Sequence, residues 1–116
     1  MKNIKALSYI AICTSIAFSS TSFASDNASA SITTTDTNAG KIKAYTCQFC
    51  HGSNGIAANP AYPNINGQNE QYLYQSMKAY QNGERTNTMG KMMKQQLSSL
   101  QNQDLADIAA YYSMMD

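Results

Sequence analysis

The stretch Cys47-Gln48-Phe49-Cys50-His51 sets two thiols three positions apart, with an imidazole directly behind the second. On a helical turn this spacing suits two thioether bonds to the vinyl groups of a haem, with the histidine on the iron from one side. C-x-x-C-H is the attachment pattern of c-type haem. Cysteine sulfur makes the cofactor part of the covalent chain, and neutral imidazole is an ordinary iron ligand. Gln48 and Phe49 act as spacers.

Three other readings of these thiols explain less. A structural zinc site asks for a fourth ligand, yet His51 is the sole histidine and the third cysteine, Cys13, lies in an apolar segment far upstream. A thioredoxin-like dithiol belongs in a βαβ setting, and no strand-rich pattern flanks the motif. A plain Cys47–Cys50 disulfide leaves His51 without a purpose.

Upstream, Lys2 and Lys5, the apolar run from Ala6 to Phe18 and the small-residue site Ser22-Phe23-Ala24 read as a secretory signal peptide, residues 1–24. The run falls short of the roughly 20 apolar residues that a bilayer span requires. Cys13 follows bulky Ile12, so it is a hydrophobe of the discarded segment rather than a lipid-attachment site. Cleavage leaves Cys47 and Cys50 as the remaining cysteines, which suits an oxidising compartment and haem attachment after export. Residues 25–36, rich in Ser, Thr, Ala and Asn, read as a flexible linker, and 37–116 as the domain. Beyond residue 24 the basic and acidic residues nearly balance, which argues against a nucleic-acid binder. Lys91 and Lys94 read as part of a solvated face.

The spacing predicts a helix from about Asn38 to Cys50, capped by Asp36 or Thr37, with Ile42, Ala44, Tyr45 and Phe49 as its apolar residues. Gly40 inside it costs about 1 kcal/mol against alanine, which makes sense if the last helix approaches closely there. Two glycines and an asparagine after His51 turn the chain away. Pro60 and Pro63 stiffen the loop that follows. Because an iron-bound imidazole usually donates its second N–H to an acceptor, the Pro60 carbonyl is a candidate partner for His51; the plainer reading is a stiff surface loop. A second helix is predicted over Asn69–Asn82 with Gly83 as its stop, and a third over Asn102–Met115, where Leu105, Ile108, Ala109 and Tyr112 keep the helical period. Arg85 to Lys94 reads as a loop around Gly90. The soft ligands available to an iron are Met77, Met89, Met92, Met93, Met114 and Met115. Those within or ending the helices, Met77, Met114 and Met115, read as core fillers, which leaves the three in the loop.

Ala39-Gly40-Lys41, Cys47 to Gly52, Tyr62 to Gln68, Tyr72-Leu73, Gly83 to Asn87 and Leu105 to Tyr112 together resemble a short bacterial class I cytochrome c. The chain is similar to the monohaem c553 type and to single domains of dihaem c4-type proteins. The resemblance implies an all-α fold, about four helices packed around one covalently bound haem c. It implies attachment through Cys47 and Cys50, and iron ligation by His51 and by a methionine seven residues before Leu100, which is Met93; Met92 and Met89 are the alternatives. It favours Pro60, nine positions after His51, as the acceptor. Gln101 stands where the family usually caps the last helix with serine, and a single haem motif separates the chain from the dihaem members. The implied function is single-electron transfer, without enzymatic activity, by a periplasmic monomer lacking stable membrane insertion. Its implied partners are of the cytochrome reductase or terminal oxidase type. The rival readings are a haem sensor or peroxidase-like protein with a weak or vacant methionine site, and a thiol-exchange or binding protein without haem.

Overall fold

The computed structural model describes residues 32–116, so the signal-peptide reading and most of the linker lie outside the described residues. Helix α1 spans Thr37–Lys43 and tightens into a 3-10 turn over Ala44–Thr46; α2 is the single turn Gln48–His51. Then follow α3 (Glu70–Gln81), α4 (Thr88–Leu97) and α5 (Asn102–Ser113). The described residues are thus all-helical. The N-termini carry local acceptors, as four orphan N–H groups require. Asp36 Oδ1 accepts from the N–H groups of Asn38 and Ala39 at 2.8 and 3.2 Å, and Asn69 Oδ1 accepts from Tyr72 N–H at 2.9 Å. At α5 the cap residue is Gln101, whose backbone N–H donates to Asp104 Oδ2 at 2.7 Å. The missing serine is thereby compensated from inside the helix.

Helix α5 is the axis of packing, since α1 and α3 both pack against it. Its small residues Ala106, Ala109 and Ala110 are buried, and Leu105 and Ile108 are the largest fully buried side chains. The crossing with α1 is so close that a Cβ on Gly40 would sit 2.0 Å from the Asp107 carbonyl oxygen. The glycine is therefore the contact, as its position in the sequence suggested. The apolar residues assigned to the first helix behave otherwise: only Ala44 enters the core, while Ile42, Tyr45 and Phe49 are 77%, 64% and 71% exposed. The expected continuous helix is also broken, because a 3-10 stretch turns with about 3.0 rather than 3.6 residues and re-phases every side chain after it.

The loop expected over Arg85–Lys94 is a helix from Thr88 onward. Asn87 Oδ1 caps it, accepting from Gly90 N–H at 2.6 Å. Gly90 does not turn the chain; it is buried, and an added Cβ would lie 2.3 Å from the Arg85 carbonyl oxygen. At the far end, Gln81 Nε2 donates to the carbonyls of Leu97 and Leu100 at 2.8 and 2.9 Å, satisfying acceptors that the end of α4 leaves open and fastening α4 to α3.

A buried carboxylate ties α5 to the start of the domain. Asp107, 3% exposed, accepts from Lys43 Nζ (2.8 Å), Asp36 N–H (3.0 Å) and Gln103 Nε2 (2.9 Å), and Lys43 also reaches Asp104 at 2.7 Å. Burial pushes the Asp107 carboxyl up, but Lys43, the Asp36 amide and Gln103 together outweigh it and hold the group below the usual carboxylate range. Lys43 and the Gln101 amide lower Asp104 likewise. A carboxylate depressed by folding contributes stability in full above its unfolded value, near pH 4, and loses it as pH falls through the folded value. Denaturant titrations should therefore show an acid limb below about pH 4 that flattens in Asp107→Asn, which should also cost about 1–3 kcal/mol at neutral pH through its broken charged hydrogen bonds. Gly40→Ala should destabilise by about 1–3 kcal/mol or more, measured the same way, because α1 must move off α5.

Candidate haem site

Between the motif turn and the three long helices lies a cavity of about 420 Å³. Each helix lines it with one stripe. From α3 come Tyr72, Leu73, Ser76, Met77 and Tyr80; from α4, Met89, Met92, Met93, Gln96 and Leu97; from α5, Ile108, Ala109 and Tyr112. These are spacings of three and four, the period that keeps side chains on one helical face. The opposite wall is Cys47, Phe49, Cys50 and His51, completed by Tyr62 to Ile65 of the loop. The walls are mainly apolar.

All four site residues named from the sequence, Cys47, Cys50, His51 and Met93, line this one space. Cys47 and Cys50 are free thiols. Burial pushes the Cys47 thiol up, so it is protonated at neutral pH. Tyr112, beside it, is raised by burial as well. His51 is 7% exposed, and its Nδ1 lies 2.8 Å from the carbonyl oxygen of Pro63. A carbonyl only accepts, so Nδ1 carries the hydrogen and Nε2 keeps its lone pair for a metal. The Tyr62 ring stands edge-on to the imidazole, 6.4 Å between centroids.

The acceptor is Pro63 and not Pro60, which corrects the expectation. Pro60 lies within a tight turn closed by Tyr62 N–H to Asn59 O at 3.0 Å, and Asn59 Oδ1 takes the Ala61 N–H at 2.9 Å. Only after that turn does the chain come back to the histidine. The approach is fixed from the other side by Gly55, whose carbonyl accepts from Ile65 and Asn66 at 2.8 and 3.2 Å.

Among the methionines of α4, Met89 and Met92 are 37% and 36% exposed, whereas Met93 is more buried. Met77 also lines the cavity but packs against the buried core through α3. One group went unnoticed as a site residue in the sequence. Arg85 donates from Nη1 to Tyr80 Oη and from Nη2 to Ser76 Oγ, both at 3.1 Å, with its guanidinium carbon 4.6 Å from the Tyr80 ring centroid. The Tyr72 phenol is held below its usual range by Ser76 and by Arg85. The signal was present in the α3 face, because Ser76 and Tyr80 are polar members of an otherwise apolar stripe.

These residues fit a haem. Two unbridged thiols stand beside an imidazole with one free lone pair, and a mostly apolar cavity receives the plate. Among the described residues no three His, Cys, Asp or Glu side chains are grouped so as to hold a metal ion.

A helical domain with two thiols and a histidine on the wall of such a cavity defines the c-type cytochromes. The chain belongs to the cytochrome c family, whose model matches residues 37–115. It is similar to cytochrome c-554(548) of Halomonas halodenitrificans, 43% identical over 81 residues covering 70% of this chain and 98% of that one. It is also similar to cytochrome c4 of Pseudomonas aeruginosa, 42% identical over 78 residues, covering 67% of this chain but 37% of the relative. The crystal structure of reduced recombinant cytochrome c4 from Pseudomonas stutzeri superposes with a TM-score of 0.63 at 34% identity, over 72% of this chain and 47% of that one. The chain thus spans nearly all of the first relative and under half of the c4 proteins. Its fold is the all-α class I cytochrome c fold, its cofactor is one covalently attached haem c, and it is an electron-transfer protein rather than an enzyme.

The exchange of Pro60 for Pro63 is open to measurement. In the haem-loaded protein, Pro60→Ala should leave the reduction potential unchanged. Pro63→Ala frees the backbone that aims the carbonyl, weakens the bond that raises imidazole basicity, and should move the potential upward.

Proposed function

We propose that this cytochrome carries single electrons between respiratory redox partners in the periplasm, with the haem iron held by His51 on one side and Met93 on the other. The observation that carries this reading is that the motif residues and Met93 line the same apolar cavity. Bound there, the haem supplies the one-electron couple between ferric and ferrous iron.

The chain's residues do the rest. Cys47 and Cys50 would hold the haem by thioether bonds, each thiol supplying both the sulfur and the hydrogen that saturate one vinyl group, so that no oxidant or leaving group would be needed. The Pro63 carbonyl takes the Nδ1 hydrogen of His51, which would leave Nε2 to hold the iron. Met93 thioether sulfur favours the reduced state. The apolar stripes of α3, α4 and α5 exclude water, which disfavours the extra charge of the oxidised state. If His51 and Met93 both ligate the iron, no position would be left for a substrate, and this would separate a carrier from a sensor or peroxidase. Brief docking through a small interface suits such transfer. No helix among the described residues is long and apolar enough to cross a membrane. The signal-peptide pattern of residues 1–24 supports export to the periplasm. Its donor and acceptor are proteins of the reductase and terminal oxidase type, met by a monomer.

Replacing Met89, Met92 and Met93 singly by alanine tests the ligand. The ferric protein should show a methionine–sulfur charge-transfer band that survives Met89→Ala and Met92→Ala and disappears in Met93→Ala, with a fall in reduction potential. A native spectrum without that band favours the open-site sensor instead.

A further inference from the structure

Three asparagines of the domain stand directly before a glycine: Asn54, Asn66 and Asn82. In such a pair the glycine nitrogen can attack the asparagine side-chain carbon, because no Cβ on the second residue stands in the way. The glycine nitrogen gives up its hydrogen, the carboxamide nitrogen leaves as ammonia carrying that hydrogen, and a succinimide ring closes. Water then opens the ring. Opening at the side-chain carbonyl gives aspartate on the original chain. Opening at the main-chain carbonyl gives isoaspartate, in which the backbone runs through the former side chain and is longer by one carbon. Nothing is oxidised or reduced, and water is the sole co-reactant.

The fold treats the three pairs differently. Asn82 closes α3 in the helical conformation (φ −69°, ψ −12°), its amide nitrogen donates to Glu84 Oε1 at 3.0 Å, and Gly83 N–H donates to Tyr80 O at 3.0 Å. Asn66 is half-buried and Gly67 N–H reaches Tyr112 O on α5 at 2.9 Å, so attack there must first break a tertiary contact. Asn54 is exposed, and Gly55 N–H is bound only within its own turn, to Gly52 O at 3.1 Å. Asn54 Oδ1 also accepts from Ile56 N–H, two residues on, at 3.2 Å. That bond folds the carboxamide back over the Gly55 peptide. It also places a donor on the oxygen where negative charge develops as the nitrogen attacks.

We infer that Asn54 is a self-modifying residue, converted in the folded protein to aspartate and isoaspartate through the Gly55 nitrogen, and that the isoaspartate form loosens the hold of Pro63 on His51. Gly55 is buried, and its carbonyl accepts from Ile65 and Asn66 at 2.8 and 3.2 Å. A Cβ built on it would lie 2.8 Å from the Asn66 nitrogen, so the backbone there has no slack for an added carbon just upstream. Two residues before Ile65, the Pro63 carbonyl meets His51 Nδ1 at 2.8 Å. A displaced Gly55 therefore shifts the loop that aims this carbonyl. The aspartate form keeps the chain length and changes the charge alone.

The test uses the haem-loaded protein. It is held in mildly alkaline buffer, which promotes loss of the glycine N–H hydrogen, and the peptides carrying residues 54, 66 and 82 are mapped by mass spectrometry over time. Labelling by an isoaspartate methyltransferase tells the two products apart. Asn54 should convert several-fold faster than Asn66 and Asn82 in the folded protein. In concentrated guanidinium chloride the three rates should draw together, since the fold no longer distinguishes them. Asn54→Gln, which has to close a larger ring, should abolish conversion at that position and leave the other two as they were. The isoaspartate form, separated by chromatography, should have a higher reduction potential than Asn54→Asp, which carries the same charge on an unaltered backbone, because the bond that raises imidazole basicity is weakened. Conversion of Asn66 or Asn82 in the folded protein as fast as that of Asn54 overturns the assignment. Equal potentials for the isoaspartate form and Asn54→Asp overturn its effect on His51.

Discussion

Helix α1 can reach α5 only because residue 40 has no side chain: the Asp107 carbonyl occupies the space a Cβ would fill. Everything the site needs follows from that approach. It brings Lys43 onto Asp104 and Asp107, and it delivers the chain, through the 3-10 turn, to Cys47 with the correct face toward the interior. A methyl group at this point would move the frame on which both thiols and the histidine are mounted. The alanines of α5 serve the same end, since larger residues at 106, 109 or 110 would hold its neighbours off.

The parts of this architecture that depend on local chemistry were legible in the chain. The motif, the cap at Asp36, the stop at Gly83 and the period of α5 each need only neighbouring residues to be understood. Gly40 could be interpreted too, because a glycine inside a helix has few explanations. Gly90 invited the opposite mistake. Its low helix propensity suggested a loop, whereas the Asn87 cap and the spacing of Met89, Met92, Met93, Gln96 and Leu97 mark a helix whose glycine yields to the Arg85 carbonyl. Tertiary closeness prevailed over propensity there. Pro63 was missed for a different reason, since which of two loop prolines meets His51 depends on how the intervening turn folds back. Arg85 lies in the stretch Gly83 to Asn87 that carries the resemblance, yet no role could be read for it there, because its partners Ser76 and Tyr80 come from the facing side of α3.

The outward face of the motif follows the same geometry. Ile42, Tyr45 and Phe49 stay exposed, Phe49 at the rim of the cavity, and the Tyr45 and Phe49 rings meet edge-to-face with centroids 5.5 Å apart. Such contact between aromatic rings adds order to side chains that burial does not restrain.

The size of the cavity has a consequence for how the protein comes into being. A cofactor seated there would cover apolar side chains from three helices at once, each Å² removed from water contributing roughly 25 cal/mol. A group that binds the folded chain alone stabilises it by mass action, so attachment would consolidate the packing of α3, α4 and α5 around one plate.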